Sequence, residues 1–223
     1  MSLIKLVDIR KTYMQGKDVK TEALRGINVE FDEGDFAVIS GPSGSGKTTM
    51  LNLMGGLDSP TGGHVYLKDK NIGKLKEDKL ARIRLMNFGF IFQAYNLIPV
   101  LTAEENIEYI MMLQGISAKK RRDKVLEIAK HLGIDDLLKK RPNQMSGGQQ
   151  QRVAVARAVV SGPKVVFADE PTANLDSENS LKLLDLMKRL NEETKTTFIF
   201  STHDPAVREK ANRKIMLKDG KIV

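Results

Sequence analysis

Apolar residues along this chain follow two different spacings, and the places where one gives way to the other mark out the elements. From Leu3 to Arg10 the apolar side chains Ile4, Leu6 and Ile9 fall close to a two-residue period, within an alternating stretch that runs from Met1 to Tyr13. Ile27 to Phe31 makes a second short run of that kind. Successive side chains of a strand point to opposite faces, so both runs predict strands of an antiparallel patch. Phe36-Ala37-Val38-Ile39-Ser40 is instead continuously apolar, enters a glycine-rich loop and is followed by helix-forming residues from Lys47 to Met54. That is the pattern of a buried parallel strand feeding a helix. Lys164 to Ala168 and Thr197 to Ser201 repeat it, each with a polar cluster and then a helical pattern behind it, the second starting after Asp204-Pro205. The alternation predicts an α/β fold with a mainly parallel sheet and helices on its faces.

Between Thr102 and Lys140 the character changes. Glu104 to Leu113, Lys119 to His131 and Asp135 to Lys139 are all helix-like, and the stretch breaks at Arg141-Pro142-Asn143, where proline removes a helical donor. The expected organisation is one domain: residues 1–93 and 163–223 form a core with the antiparallel β patch, and 94–162 a helical subdomain inserted into it. The run Lys119-Lys120-Arg121-Arg122 reads as a solvated helix face. Hydrophobic residues at 41% and charged residues at 29% exclude a disordered chain and a fibre. With no cysteine, a disulfide framework, a thiolate zinc site, an iron–sulfur cluster and a cysteine nucleophile are excluded together. Thirty-six Lys and Arg against 28 Asp and Glu give +8, which suits an anionic partner without choosing among nucleotide, nucleic acid and lipid surface. No cleavable leader is expected, and no run approaches the roughly 18 apolar residues that crossing a bilayer as a helix takes. Any membrane role would be borrowed from a partner.

Three local motifs carry chemistry. Gly41-Pro42-Ser43-Gly44-Ser45-Gly46-Lys47-Thr48 fits the P-loop pattern in full and lies between a predicted strand and a predicted helix. Its glycines let backbone N–H groups converge on phosphate oxygens, and the helix N-terminus adds a positive dipole. Lys47 is placed to hold β- and γ-phosphates and the Thr48 hydroxyl to bind magnesium. A plain glycine-rich turn before a helix would not explain the Lys-Thr pair. Val165-Val166-Phe167-Ala168-Asp169-Glu170 puts two acids at the carboxyl end of a buried strand, beside the P-loop. Asp169 is assigned to magnesium and Glu170 to the general base, the alternative for Glu170 being a solvated loop acid. In Met145-Ser146-Gly147-Gly148-Gln149-Gln150-Gln151-Arg152 a second glycine-rich element opens a helix, with Ser146 as N-cap and another anion site behind it. One P-loop does not need two phosphate cradles, which suggests that the second closes over a nucleotide held by another subunit.

This P-loop, a Ser-Gly-Gly-Gln signature some hundred residues later and the Asp-Glu strand soon after together resemble the nucleotide-binding subunit of an ATP-binding cassette (ABC) transporter. The resemblance covers essentially the whole chain. It implies ATP and Mg2+ as cofactors and a nucleotide site made of Gly41, Ser43, Gly44, Ser45, Gly46, Lys47, Thr48 and Thr49. Tyr13, alone readable as a strand-end tyrosine, resembles the aromatic that stacks on adenine. Gln93, otherwise a polar strand end, resembles the glutamine that joins the two lobes and senses magnesium and attacking water. His203, otherwise unremarked after a strand, resembles the histidine that contacts the γ-phosphate. Ala173-Asn174-Leu175-Asp176 resembles the loop that crosses the dimer interface, while Asp176 also reads as a helix cap. Met145 stands where the family usually has Leu, and the chain stops at Val223, sooner than many relatives. His64 and His131 match nothing and read as structural.

The family further implies two copies arranged head to tail, each ATP held between Lys47 of one and Ser146, Gly147, Gly148, Gln149 and Asp176 of the other. A separate integral membrane permease would dock around Gln93 and Ala94-Tyr95-Asn96-Leu97, keeping the protein peripheral on the cytoplasmic face of the cell membrane. The run from Phe90 to Asn106, with Pro171 to Asp176, is most similar to the branch of lipoprotein-release, macrolide-efflux and antimicrobial-peptide-resistance ATPases. Export or extraction of a lipophilic or peptide-like substrate follows. The alternatives are a cell-division-type ATPase signalling across the membrane and a soluble ABC ATPase acting on nucleic acid or the ribosome. The single cassette and short insertion speak for no specific nucleic acid. A P-loop kinase would leave the Ser-Gly-Gly-Gln element unexplained.

Overall fold

The computed structural model describes residues 2–15 and 19–223; Met1 lies outside them. Strands β1 (Ser2–Gln15) and β2 (Val19–Asp32) pair antiparallel with Ile4 opposite Phe31, Leu6 opposite Val29 and Ile9 opposite Ile27. They outrun the apolar alternation that announced them, because past Arg10 the ladder is kept by backbone pairing while most side chains face solvent. Strand β4 (Gly62–Leu67) adds to β1, and β5 (Lys70–Asn71) to β4, completing a four-stranded antiparallel sheet. Between these lie β3 (Phe36–Ser40), buried at all five positions, and α1 (Lys47–Met54), at the predicted bounds.

Helix α2 (Glu77–Asn87) leads into β6 (Phe88–Ile91). The helical stretch follows as α3 (Ala103–Leu113), α4 (Ala118–Leu132) and α5 (Gly147–Val159). Two of these starts are written in the sequence: Thr102 and Ser146 each form a reciprocal capping box, with Glu105 and Gln149. The helix expected over Asp135 to Lys139 is a single 3₁₀ turn, Asp135–Leu137, because Gly133 ends α4 and the backbone then closes i to i+3, Leu137 N–H onto Ile134 and Lys140 N–H onto Leu137. Of the basic run, Lys119, Lys120 and Arg122 are exposed. Arg121 turns inward, its Nε donating to Glu108 Oε2 at 2.8 Å and its guanidinium to the Ile116 carbonyl, tying α4 to α3.

The remaining elements are β7 (Val165–Asp169), α6 (Ser177–Thr194), β8 (Thr197–Thr202), α7 (Pro205–Lys210), β9 (Arg213–Lys218) and β10 (Lys221–Ile222). Strands order as β10-β9-β3-β8-β7-β6, parallel except for β10. This sheet divides two hydrophobic clusters by residue parity. Phe36, Val38, Val166, Ala168, Phe198 and Phe200 face α3 to α6, while Ala37, Ile39, Val165, Phe167 and Ile199 face α1, α2 and the antiparallel sheet. Period-two side chains on a strand buried on both faces require this split. It leaves α1 enclosed between the two sheets, with Met50, Leu51, Leu53 and Met54 all buried.

Candidate active site

In the parallel register Ile91 lies beside Ala168, Ala168 beside Phe200, and Ser40 beside Thr202. The loops that leave β3, β6, β7 and β8 therefore emerge at one edge, the carboxyl edge where open α/β sheets bind ligands. The first of them is the P-loop. Gly46 sits at φ 102, and a Cβ there would lie 2.6 Å from the Ala23 carbonyl oxygen, so only glycine lets the loop turn into α1 at this point. Helix α1 starts with no side-chain cap, which leaves its first N–H groups directed out of the fold. Lys47 is 8% exposed, and its Nζ is folded back onto the carbonyls of Gly41 and Pro42 at 2.9 and 3.0 Å. Ser45 is buried with its hydroxyl unpartnered, beneath a loop whose exposed positions include Ser43 and Gly44.

Thr48 donates to Asp169 Oδ1 at 3.0 Å, and the Ser201 hydroxyl donates to the same oxygen. Glu170 stands next, at φ 46, a left-handed conformation that costs a non-glycine residue about 1–3 kcal/mol. Its backbone is held there by its own N–H on the Ser201 carbonyl and by the Ala173 N–H on its carbonyl. Its carboxylate accepts from Thr202 at 3.2 Å and meets His203 Nδ1 at 3.0 Å. Gln93 is exposed two residues beyond β6, and its carbonyl accepts from Asn174 Nδ2 at 2.8 Å. Tyr13 reaches the same side from β1, its hydroxyl on Asp58 Oδ2 at 2.8 Å and acted on by the side chain of Thr49.

The fold does not bring Ser146 into this group. Ser146, Gly147, Gly148 and Gln149 line a separate cavity of about 490 Å³ with Arg152, Asn174 and Asp176. Asp176 caps α6, one carboxylate oxygen accepting from the Asn179 N–H at 2.9 Å and the other from its side chain at 2.7 Å. That backbone bond holds its carboxyl below the usual carboxylate range. Met145 is buried in the helical cluster, as an apolar replacement for Leu requires. His64 is bonded to Asn71 within the antiparallel sheet, and His131 lies on α4 beside Glu127, away from the site.

Residues 24–173 match the ABC transporter family model. The chain belongs to that family. Along 99% of its length it is 45% identical to MJ0796 of Methanocaldococcus jannaschii, an uncharacterised ABC transporter ATP-binding protein, covering 95% of that protein. It is 43% identical to a macrolide export ATP-binding/permease protein, MacB, of Syntrophobacter fumaroxidans, of which it spans only 31%. A dimeric structure of MJ0796 in a post-hydrolysis state, bound to ADP and Pi, superposes with a TM-score of 0.91 over 98% of this chain and 96% of that one, at 44% identity. The protein is an ABC-type ATPase with the α/β P-loop architecture and helical subdomain of that cassette. Among the described residues no helix is long and apolar enough to cross a membrane.

Residues of α5 hold the loops that follow β6 and β7. Arg157 of α5 donates to the carbonyls of Tyr95, at 2.8 Å, and of Asn96, both residues left-handed at φ 58 and 50. Gln151 of α5, fully buried, donates to the Pro171 carbonyl at 2.7 Å just after Glu170. Gly147 leaves room for the Tyr95 hydroxyl, which a Cβ would meet at 2.8 Å. For Arg157 the one signal in the sequence was a charged side chain set among the apolar residues Val153 to Val159.

Proposed function

We propose that the ATPase works as a head-to-tail dimer in which each ATP is held by the P-loop of one copy and by Ser146, Gly147, Gly148, Gln149 and Asp176 of the other, and that it drives a separate membrane permease. The observation that carries this reading is the division of the site: the P-loop with Asp169, Glu170 and His203 at one sheet edge, and the second anion-binding element in a cavity of its own. The dimeric form of MJ0796 supports it.

Within one copy, Gly41, Ser43, Gly44, Ser45 and Gly46 shape the cradle, and Lys47 exchanges two carbonyl partners for phosphate oxygens. Thr48 and Thr49 open the helix beneath it, and Tyr13 stacks on the adenine. Thr48 and Asp169 supply one hydroxyl and one carboxylate to a shared point, a hard oxygen set with few protein ligands, which fits Mg2+ completed by phosphate and water. Among the described residues no cluster of three or more His, Cys, Asp or Glu offers a metal site of another kind. Magnesium, when bound, neutralises charge on the phosphate oxygens. Glu170 takes the proton from the attacking water, His203 holds its carboxylate oriented and faces the γ-phosphate, and Gln93 lines the water's approach and the metal. The core of residues 1–93 and 163–223 and the helical subdomain of 94–162 are the two bodies whose relative movement this cycle would drive.

Beside the loop after β6 lies an apolar cavity of about 190 Å³ lined by Phe88, Phe90, Phe92, Asn96, Tyr109 and Ile110, a seat for a permease segment. That attachment would place the protein on the cytoplasmic face of the cell membrane. The macrolide-export relatives, which join ATPase and permease in their names, support export or extraction of a lipophilic or peptide-like substrate. The test is capture of tagged protein from detergent-solubilised membranes of its source cell. Recovery of an integral membrane protein by wild type and its loss in Tyr109→Glu, at unchanged ATPase rate, is the expected result. Recovery of soluble protein or nucleic acid alone would remove the transport reading and leave the ATPase standing.

A further inference from the structure

Two lysines among the described residues are buried, and only one of them belongs to the P-loop. The other is Lys11 of β1, 9% exposed, whose Nζ donates to Asp58 Oδ1 at 2.6 Å and to the Ser59 carbonyl at 2.8 Å. A buried ammonium is costly unless it is paired, so this placement is not a neutral surface choice. Asp58 uses its second oxygen to accept from the Tyr13 hydroxyl at 2.8 Å, and Lys11 Nζ lies 4.8 Å from the centroid of the Tyr13 ring. The ring is thus fixed at its tip by a carboxylate and on one face by a cation, while the residue as a whole stays 37% exposed.

The anchor is tied to the phosphate cradle. Leu57 and Asp58 both donate their N–H groups to the Asn52 carbonyl in the last turn of α1, the helix that begins with Lys47 and Thr48. The same loop is stitched to β1 by Thr61 N–H on the Arg10 carbonyl, at 2.9 Å, and Thr12 N–H on the Thr61 hydroxyl, at 3.2 Å. We propose that Asp58 and Lys11 are positioning residues that hold Tyr13 as a preformed platform for the nucleobase, at a distance from the P-loop fixed through α1. The proposal rests on the reading of Tyr13 as the base-stacking residue. It predicts that base and triphosphate are recognised by one rigid unit, so that the ordering of Tyr13 is not charged against nucleotide binding.

The experiment compares the Kd of ATP with that of inorganic tripolyphosphate, both with magnesium, for wild type, Tyr13→Ala, Tyr13→Phe and Asp58→Asn, with thermal melting to confirm folding. Tyr13→Phe keeps the ring and removes the hydroxyl's contacts with both Asp58 and Thr49, so its agreement with Asp58→Asn assigns the effect to the carboxylate. Tyr13→Phe and Asp58→Asn are expected to weaken ATP by about 2- to 12-fold, the factor for ordering one side chain, while tripolyphosphate is bound as by wild type. If Tyr13→Ala weakens ATP but Tyr13→Phe and Asp58→Asn bind it like wild type, stacking stands and the positioning role is overturned. If Tyr13→Ala itself binds ATP normally, the stacking reading falls and takes the proposal with it.

Discussion

Two glycine-rich loops in this protein each open a helix towards an anion, yet they finish their helices in opposite ways. Helix α1 begins at Gly46 with no side-chain cap, whereas α5 begins at Ser146 with a complete capping box, Ser146 Oγ accepting from Gln149 N–H at 3.3 Å and Gln149 Oε1 from Ser146 N–H at 2.9 Å. The first end has no side-chain cap and a lysine held on two neutral carbonyls, and it gains on meeting a charged phosphate. The second is already satisfied in the lone chain, so a phosphate arriving there competes with or shares an existing cap. On the proposed dimer, this contrast predicts an order of events: the P-loop captures nucleotide first, and the Ser146 element closes on it afterwards.

The two helix starts make different demands on variants. Glu170→Gln is expected to lower kcat on the order of 10²- to 10⁴-fold while ATP binding survives, giving an ATP-stabilised dimer on size-exclusion chromatography. Hydrolysis near the wild-type rate would take the base role from Glu170. Lys47→Ala is expected to weaken ATP on the order of 10- to 100-fold, what one or two hydrogen bonds to a charged group supply, measured by calorimetry on dilute protein. Ser146→Ala should cost about 1 kcal/mol of stability through the lost cap and reduce ATP-dependent dimerisation far more than nucleotide capture by the monomer. Equal losses in both would place Ser146 in the first site and undo the order proposed. The smallest effect is in acid. Asp176 has its carboxyl lowered by the Asn179 N–H, so its contribution is complete above about pH 4 and is lost as pH falls through the depressed value. Asp176→Asn should flatten that part of the acid stability curve, whereas Ser146, which does not titrate, contributes no such slope.

What could be read from the sequence was what is local in it. The P-loop, the cap at Ser146, the continuously apolar strands and the cap at Asp176 each lie within a few consecutive residues, and each stands in the structure where its pattern places it. Helix α2 went unread because it buries only Leu80 and Ile83, too few for a period to show, and β9 because Ile215 and Leu217 are spaced among charged neighbours at a sheet margin. Asp135 to Lys139 had helical composition, but once Gly133 ends α4 the backbone closes i to i+3 and the turn goes no further than Leu137. The partners that hold the site were hidden for a different reason. Lys11 meets Asp58 across 47 residues, Asn174 meets Gln93 across 81 and Arg157 meets Tyr95 across 62, and no periodicity connects such positions.

The parity of the parallel sheet has one more consequence, for anyone who wishes to adjust this protein. Val38 and Ile39 are chain neighbours, yet the first belongs to the cluster beneath the helices and the second to the cluster around α1. Trimming either removes packing from a different cluster, yet the two share one strand backbone, so a double-mutant cycle measures how strongly that strand couples the two faces. Adjacent codons thus reach two different cores, and any excess cost in the double variant would report how stiffly β3 carries a change from the helical side to the side that packs on α1.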